Sequence, residues 1–291
     1  MYGMKTLKGL LLFGISTVVT ACFDPPEFPI TPEIDFEGIY FREAKAVGVM
    51  DSLVLTLSFR DGDGDLGLSG TEIAHIDPPY HDVNYFLATE TTIDTIQKET
   101  RYLELPQFVQ IPPNATGKLV TTRIARDPKY AALKIPQYID DHTSCLDYTY
   151  TYVFVDEGDK AVFDEKTHNI DTVLAYPNFP KIYVLLDTFY YKKNPYYANI
   201  EVEFWVKEGG GYEVFDWEKE FCEISFNQRF PVLSDKVGPL EGSLQYAMVS
   251  SGMKSIFSIK TMKLRFRIRD RDLNTSEWIE TPEFTLDKIK R

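Results

Sequence analysis

The chain is short of cysteine, of positive charge and of long apolar runs. Three cysteines in 291 residues are too few for a disulfide scaffold. Against 44 aspartates and glutamates stand 31 lysines and arginines, so the formal charge is −13. Phosphate backbones need a basic surface, which argues against nucleic acid as the partner. No helical apolar stretch reaches the roughly 20 residues that span a bilayer. The nucleophile elbow G-x-S-x-G, a phosphate loop, a dinucleotide fingerprint and the metal motif H-E-x-x-H are all missing. What remains is a folding chain, 44% apolar and rich in Phe and Tyr, long enough for one large domain or two modest ones.

Its first segment reads as an address. Lys5 and Lys8 precede the 11-residue apolar run Gly9–Val19, and the stretch closes on Val19-Thr20-Ala21-Cys22. A basic start, a short apolar segment and small residues at the exit make a signal peptide over residues 1–21. The last four residues resemble the bacterial lipobox. That resemblance implies cleavage before Cys22 and acylation of its sulfur and of the new amino terminus, several chains together giving stable anchoring. The competing reading is an ordinary secretory signal with Cys22 there by chance. Phe23 follows the cysteine, which by resemblance to enterobacterial sorting rules sends the protein to the outer membrane, with the periplasmic and cell-surface sides both open. Loss of residues 1–21, which hold two lysines and no acid, leaves 270 residues at formal charge −15. Anionic lipid repels such a body, so the acyl chains must hold it at the membrane. Pro25, Pro26, Pro29 and Pro32 make residues 22–33 a tether of extended polyproline character.

From Ile34 on, period-two alternation dominates and predicts an all-β body. Ser52–Arg60 sets Leu53, Leu55, Leu57 and Phe59 on one face. Asn199–Lys207 does the same with Ile200, Val202, Phe204 and Val206, and Thr261–Arg269 with Met262, Leu264, Phe266 and Ile268. One buried and one wet face suit antiparallel sandwich strands. Weaker patterns predict strands over Asp35–Arg42, Val83–Thr89, Lys118–Ala125, Tyr148–Val155, Ile182–Tyr190, Gly211–Trp217, Ser243–Met248 and Trp278–Leu286. Gly209-Gly210-Gly211 signals a hairpin, and Asp127–Lys134 a short helix with Pro128 in its first turn.

Val54–Gly67 (VLTLSFRDGDGDLG) and Leu264–Leu286 resemble stretches of a family of Bacteroidota lipoproteins that carry one immunoglobulin-like or fibronectin type III-like sandwich. Phe226–Leu233 and Gly238–Leu244 resemble that family's middle. The resemblance implies that the first motif is strand B with its exit loop, and the second strand F, a turn and the closing strand G. Many members run from the Asp-Gly loop almost directly into the next core strand, whereas about 120 residues intervene here. The expected architecture is an immunoglobulin-like antiparallel sandwich of residues 34–74 and 196–288 with a large, mostly β insertion over 75–195. Two tandem β domains split near residue 140 are the alternative, and the partner of Ser52–Arg60 distinguishes them. In such a sandwich strands C and F are neighbours, so Glu201 and Glu203 would face the stripe Lys263, Arg265, Arg267 and Arg269. Each cross-strand pair contributes roughly 0.2–1 kcal/mol, which reads the stripe as a self-neutralised wet face. Trp205 on that face is either a binding contact or a cover for the arginine stems.

Asp61-Gly-Asp-Gly-Asp-Leu-Gly67 is the strongest chemical motif. Alternate carboxylates can converge on a hard cation, and Asp61, Asp63, Asp65 and Glu72 fall at positions 1, 3, 5 and 12 of an EF-hand-like count. Leu66 stands where that loop needs glycine and no helices flank it, which leaves a β-loop Ca²⁺ site or a plain Asp/Gly turn. Cys145 and Cys222 are either bridged, tying the insertion to the sandwich, or two buried thiols. The stretch His75, Asp77, His81 and Asp82 has ligand types but not metal spacing, and His142 has no evident nucleophile. Asp51-Ser52-Leu53, Asp94-Thr95-Ile96 and Asp171-Thr172-Val173 resemble the Bacteroidota O-glycosylation motif.

No catalytic residues stand out. The expectation is a lipid-anchored cell-envelope module that binds an envelope protein or a glycan. The insertion, with Tyr148, Tyr150, Tyr152, Tyr190, Tyr191, Tyr196 and Tyr197, would be its variable surface. The alternatives are a structural accessory of a secretion or gliding machine, or a hydrolase.

Overall fold

The computed structural model of the chain describes residues 27–44, 49–100, 108–109, 111, 115–135, 148–157, 168, 170–179, 181–221 and 225–291. The signal segment, Cys22, the pair Cys145 and Cys222, whether bridged or free, and His142 lie outside the described residues, as do the side chains of Tyr148, Tyr150 and Tyr152. Among the described residues no helix is long and apolar enough to cross a membrane.

Alternating side chains with bulky β-formers give strands almost throughout. In chain order these are β1 (Glu33–Arg42), β2 (Asp51–Asp61), β3 (Val83–Ala88), β4 (Ile93–Glu99), β5 (Phe108–Val109), β6 (Lys118–Leu119) and β7 (Tyr148–Asp156). There follow β8 (Ile170–Leu174), β9 (Ile182–Lys193), β10 (Ile200–Glu208), β11 (Gly211–Phe215), β12 (Leu240–Ser250), β13 (Met262–Ile268) and β14 (Ile279–Glu280). The fold is all-β. One sheet has the order β1-β2-β12 and faces a second with the order β11-β10-β13-β14. Three strands against four is the arrangement of a fibronectin type III-like sandwich.

β2, the Ser52–Arg60 segment of the sequence, lies antiparallel between β1 and β12, in continuous register with β12 and with one bulge against β1 between Phe36 and Gly38, so the sheet joins strands from either side of the intervening segment. The core between the sheets takes Leu53, Leu55, Leu57 and Phe59 from β2, Ile200, Val202, Phe204 and Val206 from β10, and Met262, Leu264, Phe266 and Ile268 from β13. Gly209 and Gly210, both at positive φ, turn β10 into β11, since only glycine takes that conformation without strain. At one end, Trp217, Phe226 and Phe257 surround Phe204 with ring centroids 5.3 to 5.8 Å away.

The segment between β2 and β10 builds a second, separate core around Tyr85, Leu87, Ile96, Val153, Leu185 and Phe189. Its third sheet closes on itself, because β3 pairs with β4, β4 with β5, β5 with β7, β7 with β9 and β9 again with β3. All pairs in this ring are antiparallel except β5 with β7. β6 and β8 extend it alongside β3 and β9.

Three predicted strands differ from the structure. Lys118–Ala125 is strand only to Leu119 and then becomes helix α1 (Thr122–Arg126), because Thr121 caps it by accepting from the Ile124 amide and Ile124 turns inward. The 3₁₀ turn Pro128–Leu133 follows, capped by Asp127. Gly211–Trp217 ends at Phe215, since Trp217 starts helix α2 (Trp217–Phe221) to bury its ring beside Phe204. Trp278–Leu286 pairs only over β14 and then makes a single bridge, Phe284 to Met262. The tether also differs at its end: Pro29 already rests on the body, its carbonyl accepting from Gly62 at 2.8 Å.

Candidate metal centre

The Asp-Gly loop leaves the sandwich at Asp61, the last residue of β2. The chain turns sharply there because Gly64 and Gly67 both hold positive φ. A Cβ on Gly67 would stand 2.2 Å from the Pro231 carbonyl oxygen, so the loop can press against that segment only with glycine. Leu66, which replaces the glycine of an EF-hand count, is fully buried and plugs the sandwich core. Neighbouring backbone clamps the loop from several sides. Gly238 donates to the Asp63 carbonyl at 2.9 Å, Leu233 to the Leu66 carbonyl at 3.1 Å, and Leu68 to the Phe230 carbonyl at 3.0 Å.

So held, Asp61, Asp63 and Asp65 each offer a carboxylate oxygen, and these atoms lie within 4.8 Å of one another. Asp61 is completely buried. One oxygen, Oδ1, on each of the three side chains is shielded from water and accepts no hydrogen bond. The other oxygens are partly used: Asp61 Oδ2 accepts from the Asp65 amide and Asp65 Oδ2 from the Asp272 amide, both at 3.0 Å. Burial, followed by the charge of Asp63, pushes Asp61 up to about 6. Burial and then the charges of Asp270, Asp63 and Asp61 push Asp65 up to about 7. Like charges held together out of water resist ionising together.

Glu72, expected as the fourth ligand, is not in this group. It is exposed, and its carboxylate faces His75 at 3.7 Å. The 3₁₀ turn Ile73–His75 carries it away, where an EF-hand helix would bring it back. The fourth acid at the cluster is Asp270, which sequence reasoning missed. An antiparallel bridge between Leu66 and Asp270 brings it there. Burial raises its pKa, while two hydrogen bonds donated by Asn274 work against that rise. Its signal in the sequence is the second Asp/Asn turn, Asp270-Arg271-Asp272-Leu273-Asn274, directly after a core strand.

The other candidates are dispersed. Asp77 accepts from the Thr100 amide, His81 bonds Asn84 and Asp82 pairs with Lys98, so the His75–Asp82 stretch does not converge on one point. Of the glycosylation-like positions, Thr95 and Thr172 are exposed in strands and Ser52 is half-buried.

The wet face of β10 and β13 is neutralised across strands. Glu201 pairs with Arg267 at 2.7 Å and Arg269 at 2.6 Å, and Glu203 with Arg265 at 3.6 Å. Lys263 reaches Glu280 at 2.6 Å. Trp205 lies under Arg265, 5.3 Å from guanidinium to ring centroid, and donates to Glu203, so it covers arginine stems. Tyr190 is buried against α1, whereas Tyr196 and Tyr197 are exposed where the unit between β2 and β10 meets the sandwich. There a cleft of about 500 Å³ is lined by Lys193, Asn194, Tyr197, Gln228, Arg267 and Arg269, among others.

No protein-family model, curated protein or solved structure matches the chain.

Proposed function

We propose that the chain is a lipid-anchored binding module of the cell envelope, with no catalytic role, which takes part of an envelope protein or a glycan in the cleft between its two β units. The cleft carries this reading. Ligand sites favour the junction of folded units, and here charged, amide and aromatic side chains converge on one concave surface. Tyr197 is exposed at the cleft beside Arg229, and the Asn227 and Gln228 amides can bond hydroxyls or peptide carbonyls, while Arg267 and Arg269 are held by Glu201 and Lys193 by Glu218. The lipobox-like Val19-Thr20-Ala21-Cys22, the signal before it and the resemblance to Bacteroidota lipoproteins support the address, at the outer membrane.

Two measurements test the two halves of the proposal. Palmitate labelling of the expressed chain should mark it, and Cys22→Ala should abolish both the label and sedimentation with membranes; an unlabelled product refutes the anchor. The detergent-purified chain should retain an envelope glycan or protein, and Tyr197→Ala with Gln228→Ala should weaken retention at unchanged circular dichroism. Retention that survives both substitutions rejects the cleft. A stoichiometric complex that co-purifies without using the cleft would favour the structural-accessory role instead.

A further inference from the structure

We propose that Asp61, Asp63 and Asp65 bind one Ca²⁺ ion, and that this ion locks the Asp-Gly loop to the Asp270–Asn274 turn and so to the base of the unit between β2 and β10.

The observation that points to an ion is the set of buried, unpartnered oxygens. Native folds satisfy nearly all buried polar atoms, and a carboxylate oxygen without a donor is expensive. Here three adjacent side chains each keep one such oxygen, and one of them, Asp61, has no exposed surface at all. The nearby cation, Arg271, directs a guanidinium nitrogen to the Gly67 carbonyl at 3.2 Å. The acids therefore hold a concentration of negative charge that a divalent ion would neutralise.

The donor set selects the ion. All three ligands are carboxylates, which suit hard cations and not the thiolate- and imidazole-seeking metals. Oxygens that share one Ca²⁺ at 2.3–2.6 Å stand at most about 5 Å apart, and these lie within 4.8 Å of one another. Mg²⁺ dehydrates reluctantly and usually takes one or two carboxylates, whereas Ca²⁺ accepts three and fills the rest of its shell with water or carbonyl oxygen. Asp270 adds a fourth negative charge, though both its oxygens already accept from Asn274.

The same contacts define what the ion would hold in place. Asp65 accepts from the Asp272 amide, and the carbonyl of Arg271 accepts from the Tyr80 hydroxyl. Tyr80 is buried just ahead of β3. Arg229 donates to the carbonyls of His75, Tyr80 and Tyr197 and braces the same junction. Pro29 closes the loop from the tether side.

The test uses the full chain, purified in detergent and stripped of metal, with CaCl₂ or MgCl₂ as the probe. Calorimetric titration should give one Ca²⁺ per chain with a dissociation constant of about 1 mM or tighter. The melting temperature should rise by several degrees in about 10 mM CaCl₂ and much less in MgCl₂. Asp63→Asn should weaken binding about tenfold or more, and Glu72→Gln should leave it unchanged. Absence of both heat and thermal shift overturns the proposal, as does an equal response to Mg²⁺ or an undiminished response in Asp63→Asn. Should that variant fail to fold, Tb³⁺ emission sensitised by tyrosine reads the site in the unaltered chain: displacement by Ca²⁺ supports the proposal, and no Ca²⁺-sensitive emission refutes it.

Discussion

Without calcium, the Asp cluster should make the protein less stable as pH rises from mildly acidic to neutral. In the unfolded chain Asp61 and Asp65 release their protons near the ordinary value of 3.8, while in the folded chain they release them at about 6 and about 7. Between these values the folded state holds more protons than the unfolded one, so stability is full below the lower value and is lost as pH climbs through the upper ones. Each such proton is worth about 1.4 kcal/mol per pH unit. Asp61 taken alone, from 3.8 to about 6, represents a loss on the order of 3 kcal/mol. Asp65 shares the same field, so the pair loses less than the sum of the two. Asp270, raised mainly by burial, adds in the same sense. His75, which burial holds below 6.5, works oppositely in part of the window, and a His75→Gln background removes it. Glu43, which its bonds to Lys254 and Lys290 hold at about 2, titrates well below the window. The assay is urea unfolding at a series of pH values in metal-free buffer. The unaltered chain should lose stability from about pH 5 to about pH 7, and Asp61→Asn should flatten the slope by about one proton's worth. Saturating Ca²⁺ should reverse the trend, because protons then compete with the ion. A metal-free profile that is flat or rises over that interval, in the His75→Gln background, would refute the account of the cluster.

Three further outcomes follow from the same geometry. Gly67→Ala places a methyl 2.2 Å from the Pro231 oxygen at a φ of +98°, so urea unfolding should show a loss above the roughly 1–2 kcal/mol of left-handed backbone strain; a neutral effect would mean that the loop is not held as described. Phe204→Ala opens a hole beneath Trp217, Phe226 and Phe257 and should cost about 3–5 kcal/mol, read from the urea midpoint. Glu201→Gln leaves the nearly buried Arg269 without its carboxylate and should cost about 1–3 kcal/mol, whereas Glu203→Gln, whose Arg265 lies at 3.6 Å on a wetter surface, should cost under about 1 kcal/mol; equal costs would count against burial as the deciding factor.

Strands of the sandwich were legible where one face is buried and the other wet, and the adjacency of β10 and β13 only through the resemblance to an immunoglobulin-like sheet. β2, β10 and β13 alternate cleanly, and the register of β10 on β13 sets Glu201 against Arg267 and Glu203 against Arg265. β4 and β8 escaped notice because their exposed and half-buried residues run together without period-two contrast. The Asp-Gly loop was visible as a cation candidate because glycine and aspartate carry their meaning locally.

Local sequence could not complete the set. Counting along the chain names Glu72, 11 residues after Asp61, but the backbone turns it out to solvent. Asp270, over 200 residues away, arrives through the bridge from Leu66. The sequence alone thus determined which strongly alternating segments would be strands, which of their faces would be apolar and where the carboxylates would be dense, since these follow from side-chain period and residue chemistry. Only the tertiary structure decided which distant turn meets that loop, that the middle of the chain closes into a ring with its own core, and that the loop's oxygens are left without donors. Those outcomes depend on pairings between residues far apart in the chain, which no local pattern encodes.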